Sequence, residues 1–535
     1  MTKEPLKLFD KELWKLWTSI LGGVGHEKEQ LKMCDKGQAR SQKWTYLPTR
    51  VGGAGLRCWA DIADYAWFCS FAECGALQDV NFEQARAFIP GECKQAHGIA
   101  LRALGGVTYV NHADFEILPP EEPDVLYNSD YYKHWQADHK SAKLQKEFNL
   151  FLAQRHLKLL TSHSELEHDH VTNSEKIRSL QTRKKPGVSV LTQLFSANLS
   201  DREARLTRSE FIISARQFIV LPALKIPRGE IVELKCGCEA QKCPNAVCGG
   251  TILDPAGNHA LLCHAGVGAR KATLLESALE RIFRKAGGRA SRQPTTFRLL
   301  GEVVPKDDLA ALFAGGLSVE ETKQNGELAL ELIDAFLMPP SALKETVIEE
   351  VRSRLPHVEE DKKEASNNII RFDLCLAASF PADAPRELWL DHAIVHDTSE
   401  SYQEHVIAQL EEGVEDPTKN YAFRRMETSK KRRFNALIPI ANHLLKQKVL
   451  DFQPFFLFPI ISALGYMNDD AAKMVKWMSS VLNKTLTSVR DDGIPLSVIK
   501  ARYKIEVRNA ICFGLLRGNA LAMHSVGRPH VSRPM

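Results

Sequence analysis

The sequence predicts an α+β multi-domain protein: a helical N-terminal region, a small metal knuckle, a layered α/β domain and a helical C-terminal tail. Three observations carry this. The chain has 535 residues, enough for about three domains of ordinary size. Five of its 12 cysteines crowd into the short stretch from Cys236 to Cys263. Downstream of them, segments of helical and strand periodicity alternate, as in layers of helix on sheet.

Residues 1–130 read as mostly helical. Apolar positions from Leu8 to Leu21 recur at helical spacing and stop at Gly22-Gly23. The pattern breaks at Trp44-Thr45-Tyr46-Leu47-Pro48. It is followed by Val51-Gly52-Gly53-Ala54-Gly55-Leu56-Arg57, where three glycines close together predict a tight turn. An apolar, aromatic-rich helix follows, from about Ile62 to Ala76. Pro119, Pro120 and Pro123, interleaved with acidic residues, make 118–140 irregular. Residues 131–235 read as a helical linker region. It contains the break Arg183-Lys184-Lys185-Pro186-Gly187 and an arginine-rich helix from Arg202 to Val220.

The knuckle occupies 236–264, and an α/β domain is expected over 265–468. That domain opens with an amphipathic helix, Lys271 to Lys285, and a strand near 297–304. The polar stretch of about 300–366 contains the acidic run Glu349 to Glu364. Its length and polarity predict an insertion rather than core. Strands are expected at Ile369 to Ala377 and Glu387 to His396, then a basic helix from Phe423 to Lys448. The apolar run Phe452 to Leu464 reads as a buried strand and the start of a helix. Residues 469–535 read as C-terminal helices, about 469–490 and 495–518.

Composition excludes several classes. With 44% hydrophobic and 25% charged residues the chain is not globally disordered. A net charge of +4 is too small to argue for nucleic acid, so local clusters decide. No apolar run reaches the roughly 20 residues of a membrane helix. Met1-Thr2-Lys3-Glu4-Pro5 begins no signal peptide. The remaining cysteines are scattered without a disulfide framework. Reduced thiols are expected, in the nucleus or cytoplasm.

Cys236, Cys238, Cys243, Cys248, His259 and Cys263 offer the soft donors that tetrahedral zinc requires. The preferred set is Cys243, Cys248, His259 and Cys263, with Cys236 or Cys238 as alternates for one of the first two. His259 and Cys263 are four apart, on one face of a helical turn. Four ligands leave no open position, so the zinc is expected to be structural.

Asp373 opens one expected strand. Asp391 lies within the apolar run Leu388-Trp389-Leu390-Asp391-His392-Ala393-Ile394-Val395. A carboxylate there is costly to bury without a partner. Two readings stand: a Mg²⁺ site shared by aspartates on neighbouring strands, or aspartates that cap turns and pair with arginines such as Arg371. Arg424, Arg425, Lys430, Lys431, Arg432 and Arg433 crowd six cations into ten positions. Such a helix either lies along phosphates or is a solvated face with Phe434 in the core.

Together these parts resemble proteins of non-LTR retrotransposons that carry a reverse transcriptase. The segment Leu47 to Arg57 resembles the one that follows their polymerase domain. Leu253-Asp254-Pro255-Ala256-Gly257-Asn258-His259-Ala260-Leu261-Leu262-Cys263 is similar to their zinc knuckle. Arg371-Phe372-Asp373 and Leu390-Asp391-His392-Ala393-Ile394-Val395-His396 resemble the acidic strands of their restriction-like endonuclease. Lys430-Lys431-Arg432-Arg433-Phe434 is similar to that family's basic helix, and Arg517-Gly518-Asn519-Ala520 to a closing motif. The matches run in family order over about 44–520.

The resemblance implies a PD-(D/E)xK-like fold and Mg²⁺-dependent nicking of DNA that, in the element, primes reverse transcription. DNA and possible element RNA are the implied partners. Asp373 and Asp391 would hold the metal, Lys431 or Lys430 would be the catalytic lysine, and Glu276 an accessory acid. Three departures stand out. Phe372 replaces the proline that usually precedes the first aspartate. Ala393 sits where a lysine would share a strand face with Asp391. A polymerase palm with its Tyr-x-Asp-Asp sequence is missing. The alternatives are a nucleic-acid-binding module with a decayed nuclease and a zinc-containing protein-interaction protein.

Overall fold

The computed structural model describes residues 4–21, 35–60, 62–63, 150, 153–154, 156–168, 171–197, 205–219, 257–262, 267–285, 287–294, 303–312, 319–355, 372–377, 387–434, 437–450, 454–487 and 495–526. They form a mixed, mostly helical fold with a small sheet component. No described helix is long and apolar enough to cross a membrane. The chain divides into two compact units. The first comprises 1–172, 186–188 and 215–221; the second comprises 173–185, 189–214 and 222–535.

In the first unit, helices α1 (Glu4–Ile20) and α2 (Asp35–Tyr46) precede the glycine-rich turn. Trp44, Leu47 and Val51 form a core with Ala153, Leu157 and Leu160. The turn folds back on itself: the amides of Gly53 and Gly55 donate to the carbonyls of Pro48 (3.1 Å) and Leu47 (2.9 Å). A Cβ on Gly53 would stand 2.0 Å from the Leu47 carbonyl oxygen, so only glycine fits. Most of the helix expected over Ile62 to Ala76 lies outside the described residues, as does the irregular stretch 118–140.

The second unit carries the sheet. It opens with α3 (Asn173–Lys184), α4 (Asn258–Leu262) and α5 (Val267–Lys285), then strand β1 (Arg289–Arg292). Helices α6 (Lys306–Leu312), α7 (Val319–Leu337) and α8 (Ala342–Ser353) follow. Strands β2 (Leu374–Ala377), β3 (Glu387–Leu390) and β4 (Ala393–Val395) come next, then helices α9 (Glu400–Glu411), α10 (Tyr421–Phe434) and α11 (Leu437–Lys446). Strands β5 (Pro454–Leu457) and β6 (Ile460–Ser462) lead into α12 (Asp469–Thr487) and α13 (Leu496–Val526).

The main sheet has the order β1-β2-β3-β5. The first two pairings are antiparallel and the last is parallel. Strands β4 and β6 form a separate parallel pair. Since β4 follows β3 and β6 follows β5, the two sheets are one ladder bent at Asp391-His392. Backbone bonds from Asp391 to Leu457 (3.3 Å) and from Ala393 to Pro459 (2.9 Å) carry the pairing across the bend.

Strands β2 and β3 are covered on both faces. Cys375 and Trp389, paired in register, enter a core with Leu332 and Ile333 of α7, Ile348 and Val351 of α8, and Leu437, Ile440 and Leu444 of α11. The alternating positions, Leu374, Leu376, Leu388 and Leu390, are also buried. They face the opposite layer, where α5 packs on β1 and β2 and in turn against α13. Leu275, Ala278, Leu279, Ile282 and Phe283 form the buried stripe of α5. Gly518 lets α13 approach Lys271, whose Cα a Cβ there would meet at 3.3 Å.

Three sequence expectations are corrected. The described part of 300–366, expected as an insertion rather than core, supplies core through Val304, Leu312, Ala329, Leu332, Ile333, Ile348 and Val351. Strand β1 at Arg289–Arg292 forms one edge of the main sheet; most of the strand expected near 297–304 lies outside the described residues. The basic helix from Phe423 to Lys448 is two helices, α10 and α11, because Pro439 suits the first turn of a helix and not its interior. The described part of 452–464 holds two strands and no helix start. Pro459 separates them, and α12 begins only after Asn468, whose side chain accepts from the Ala471 amide at 2.9 Å.

Candidate active site

The β2–β3 pairing creates the site. Leu374 lies opposite Leu390, so the next residues outward, Asp373 and Asp391, meet at one end of the sheet. Asp373 is locked by its backbone: its amide donates to Leu390 (2.9 Å) and its carbonyl accepts from Gln293 (3.0 Å). Asp391 sits where the ladder bends. Helix α5, packed on β1 and β2, brings in Glu276. Helix α10, packed on β4 and β6, brings in Lys430.

The contacts are specific. Lys430 Nζ lies 2.8 Å from Asp391 Oδ2. The backbone amide of His392 donates to Asp373 Oδ2 at 2.8 Å. The ring Nδ1 of the same histidine also lies 2.8 Å from Asp373 Oδ2. Its Nε2 stands 4.0 Å from Glu276 Oε1. Glu276, Asp391 and His392 are buried, whereas the Asp373 side chain is 29% exposed. Asp373 is therefore the most solvent-exposed of these groups.

Burial pushes the Asp391 carboxyl up to about 6; the charge of Lys430 opposes this and that of Asp373 adds to it. Burial also acts on Asp373, but the hydrogen bond and charge of His392, with the charge of Lys430, outweigh it and hold that carboxyl below its ordinary value. Burial raises Glu276, against the charge of His392. Neighbouring carboxyls are thus driven apart in acidity, an arrangement frequent at sites of acid–base chemistry.

Of the residues singled out in the sequence, the fold gathers Asp373, Asp391, Glu276 and Lys430. It separates Lys431, which is exposed and paired with Glu427. Adjacent helical positions diverge by about 100°, so only one of the two lysines turns inward. Arg424 and Arg425 are exposed, and the Arg425 guanidinium lies 5.6 Å from the Tyr402 ring centroid. The side chains of Arg432 and Arg433 lie outside the described residues. So do Cys236, Cys238, Cys243, Cys248 and Cys263. His259 sits half-buried on the short helix α4.

His392 is the residue that sequence reasoning missed. The sequence does hold one signal: a second polar residue beside Asp391 in an otherwise apolar run. Ligand atoms of Glu276, Asp373 and His392 all lie within 4.8 Å of one another. The donor set fits a divalent cation: two carboxylates, and a ring whose buried Nε2 has no hydrogen-bond partner among the described residues. No protein-family model and no curated protein matches the chain.

Proposed function

We propose that the chain is a divalent-cation-dependent DNA endonuclease that nicks DNA, a retrotransposon-type restriction-like nuclease without a polymerase palm. The observation that carries this reading is the meeting of Lys430, delivered by a helix, with carboxylates at the ends of two paired strands. A lysine in that position takes the role that Ala393 cannot fill. The PD-(D/E)xK-like arrangement of β2, β3 and α5 belongs to the same reading, as do the domain divisions at 130, 235, 264 and 468.

Asp373 and Asp391 would hold Mg²⁺, with Glu276 as the accessory acid. When bound, the ion supplies a Lewis acid for a phosphate oxygen and a water of lowered pKa. Lys430 orients Asp391 through their 2.8 Å ion pair and balances the negative charge that builds on the phosphate. Glu276, with its acidity lowered by burial, is suited to receive the proton of the attacking water. Arg424 and Arg425, with Arg432 and Arg433, would track the DNA backbone, and element RNA is a second ligand of the same chemistry. Zinc held by Cys243, Cys248, His259 and Cys263 would brace the knuckle. A nuclear or cytoplasmic setting, with reduced thiols, suits this assignment.

One observation favours a second reading, a binding module whose nuclease has decayed. Asp391 already has a cationic partner in Lys430 and needs no metal to be buried. Plasmid nicking with Mg²⁺ or Mn²⁺, beside Asp391→Ala, separates the two. Nicking that the substitution abolishes is expected. DNA retention without nicking by either protein would select the binding module.

A further inference from the structure

We propose that the outer rim of α5 and β1 is a second nucleic-acid surface, which holds the phosphate backbone of duplex DNA beside the carboxylates, on the flank away from α10. This deepens the endonuclease reading and rests on it for the choice of DNA. The sequence marks the rim. From Arg281 to Arg292 the chain holds five cations, Arg281, Arg284, Lys285, Arg289 and Arg292, and no acid. The fold keeps all five exposed. The chain leaves α5 through a tight turn, in which the amides of Gly287 and Gly288 donate to the carbonyls of Arg284 (2.9 Å) and Phe283 (3.1 Å). Strand β1 therefore returns beside the helix it leaves, and Arg284 donates to the Ala290 carbonyl at 2.9 Å. Cations of both elements thus share one edge of the main sheet.

The rim reaches the site. Arg292 donates to the hydroxyl of Ser277 at 2.9 Å, and Ser277 follows Glu276 on α5. The next residue of the edge, Gln293, donates its amide to the carbonyl of Asp373 at 3.0 Å. Helix α10 comes to the same carboxylates from the other half of the sheet, where it packs on β4 and β6. A phosphate held at Asp373 and Asp391 thus has a row of cations on either side. Among the described residues, Glu280 faces the rim, and it is shared by Arg284 (2.7 Å) and Arg292 (2.5 Å). Lys285 and Arg289 have no ion-pair partner among the described residues, so their charge is open to an outside anion. The chemistry of the rim selects duplex DNA over a single strand. Surfaces for single strands interleave cations with aromatic rings on which bases stack. The aromatic residue within 281–292 is Phe283, and it is buried. Guanidinium and ammonium groups without such rings fit backbone phosphates.

The test is equilibrium binding of the full chain to labelled duplex DNA, without added divalent ion, as a function of salt. Lys285→Ala with Arg289→Ala should weaken binding roughly tenfold or more, to a similar extent on unrelated sequences, and should lower the salt slope by about two. Lys446→Ala with Lys448→Ala removes two exposed cations at the end of α11 and should leave affinity and slope unchanged. A footprint on the parent needs no variant: duplex DNA should shield Lys285, and not Lys446, from acetylation. An unchanged slope in the Lys285 and Arg289 variant overturns the inference, as does equal acetylation of Lys285 with and without DNA. A single strand of the same length that binds the parent as tightly as the duplex overturns it as well. Plasmid nicking, run in parallel, keeps the two readings apart. Affinity lost in the variant, with no nicking by the parent, refutes only the nuclease. Nicking by the parent, with binding unaltered in the variant, refutes only the rim.

Discussion

Phe372 is fixed by aromatic surroundings. Its buried ring lies 4.4 Å from Phe434, 5.2 Å from Trp389 and 5.5 Å from Phe456, centroid to centroid. It joins β2, β3, β5 and α10 just behind the carboxylates. Phe372→Ala should cost about 3–5 kcal/mol of stability, read by urea unfolding. A loss below about 1 kcal/mol would show that the cluster is loosely packed.

Asp397 is a second residue with a definite consequence. It is fully buried, and Gln181 Nε2 donates to its Oδ2 at 2.5 Å. Burial pushes its carboxyl from 3.8 up to about 6, against the hydrogen bond from Gln181. The folded state thus holds this proton more tightly than the unfolded chain does. The stabilisation is complete below 3.8 and is lost as pH rises to about 6, a span worth roughly 3 kcal/mol. Asp397→Asn keeps an acceptor for Gln181 and removes the titration. Its stability relative to the parent should rise between about pH 4 and about pH 6.5 and then level off. A difference independent of pH would contradict the assignment.

At this scale the aspartates and Lys430 were legible, because charges inside apolar or basic runs are conspicuous. His392 was not, since a ring proton shared with Asp373 depends on the β2–β3 register. The choice between Lys430 and Lys431 was hidden too, because it turns on the rotation of α10 against the bent ladder.

Among the elements, strongly periodic helices could be read and context-dependent ones could not. The stripe of α5 announced itself. Strand β1, Arg-Ala-Ser-Arg, has no apolar alternation and exists because β2 offers it an edge. The polar surface of 300–366 concealed how α7 and α8 bury their other faces. Leu332, at 0% exposure, shows the consequence. Leu332→Ala should lower stability by about 2–5 kcal/mol, and replacing 303–355 with a short linker should abolish cooperative thermal unfolding of the second unit. A linker variant with an unchanged melting transition would restore the view of this stretch as an appendage.

On the scale of the whole molecule, the mixed helix-and-sheet character was predictable from alternating periodicities. The division into units of non-contiguous sequence was not, because 186–188 and 215–221 leave the second unit for the first, and such exchanges leave no local signature. The proposed zinc and DNA ligands belong at this scale. Metal analysis should find about one zinc per chain, and none after Cys248→Ser with Cys263→Ser; retained zinc would refute that ligand set. DNA affinity should fall steeply with salt as phosphate contacts release counterions, and a flat response would exclude both the nuclease and the binding module.

The central claim is that the strand-end carboxylates and Lys430 form one reactive site, and the two adjacent lysines test it most directly. Nicking rates of Lys430→Ala and Lys431→Ala should be compared under equal metal and DNA. Lys430→Ala should lose about 100-fold or more, as removal of a charge-stabilising group does, while Lys431→Ala should stay within about twofold, as an exposed ion pair implies. Equal losses in both variants, or a loss confined to Lys431→Ala, would contradict the site.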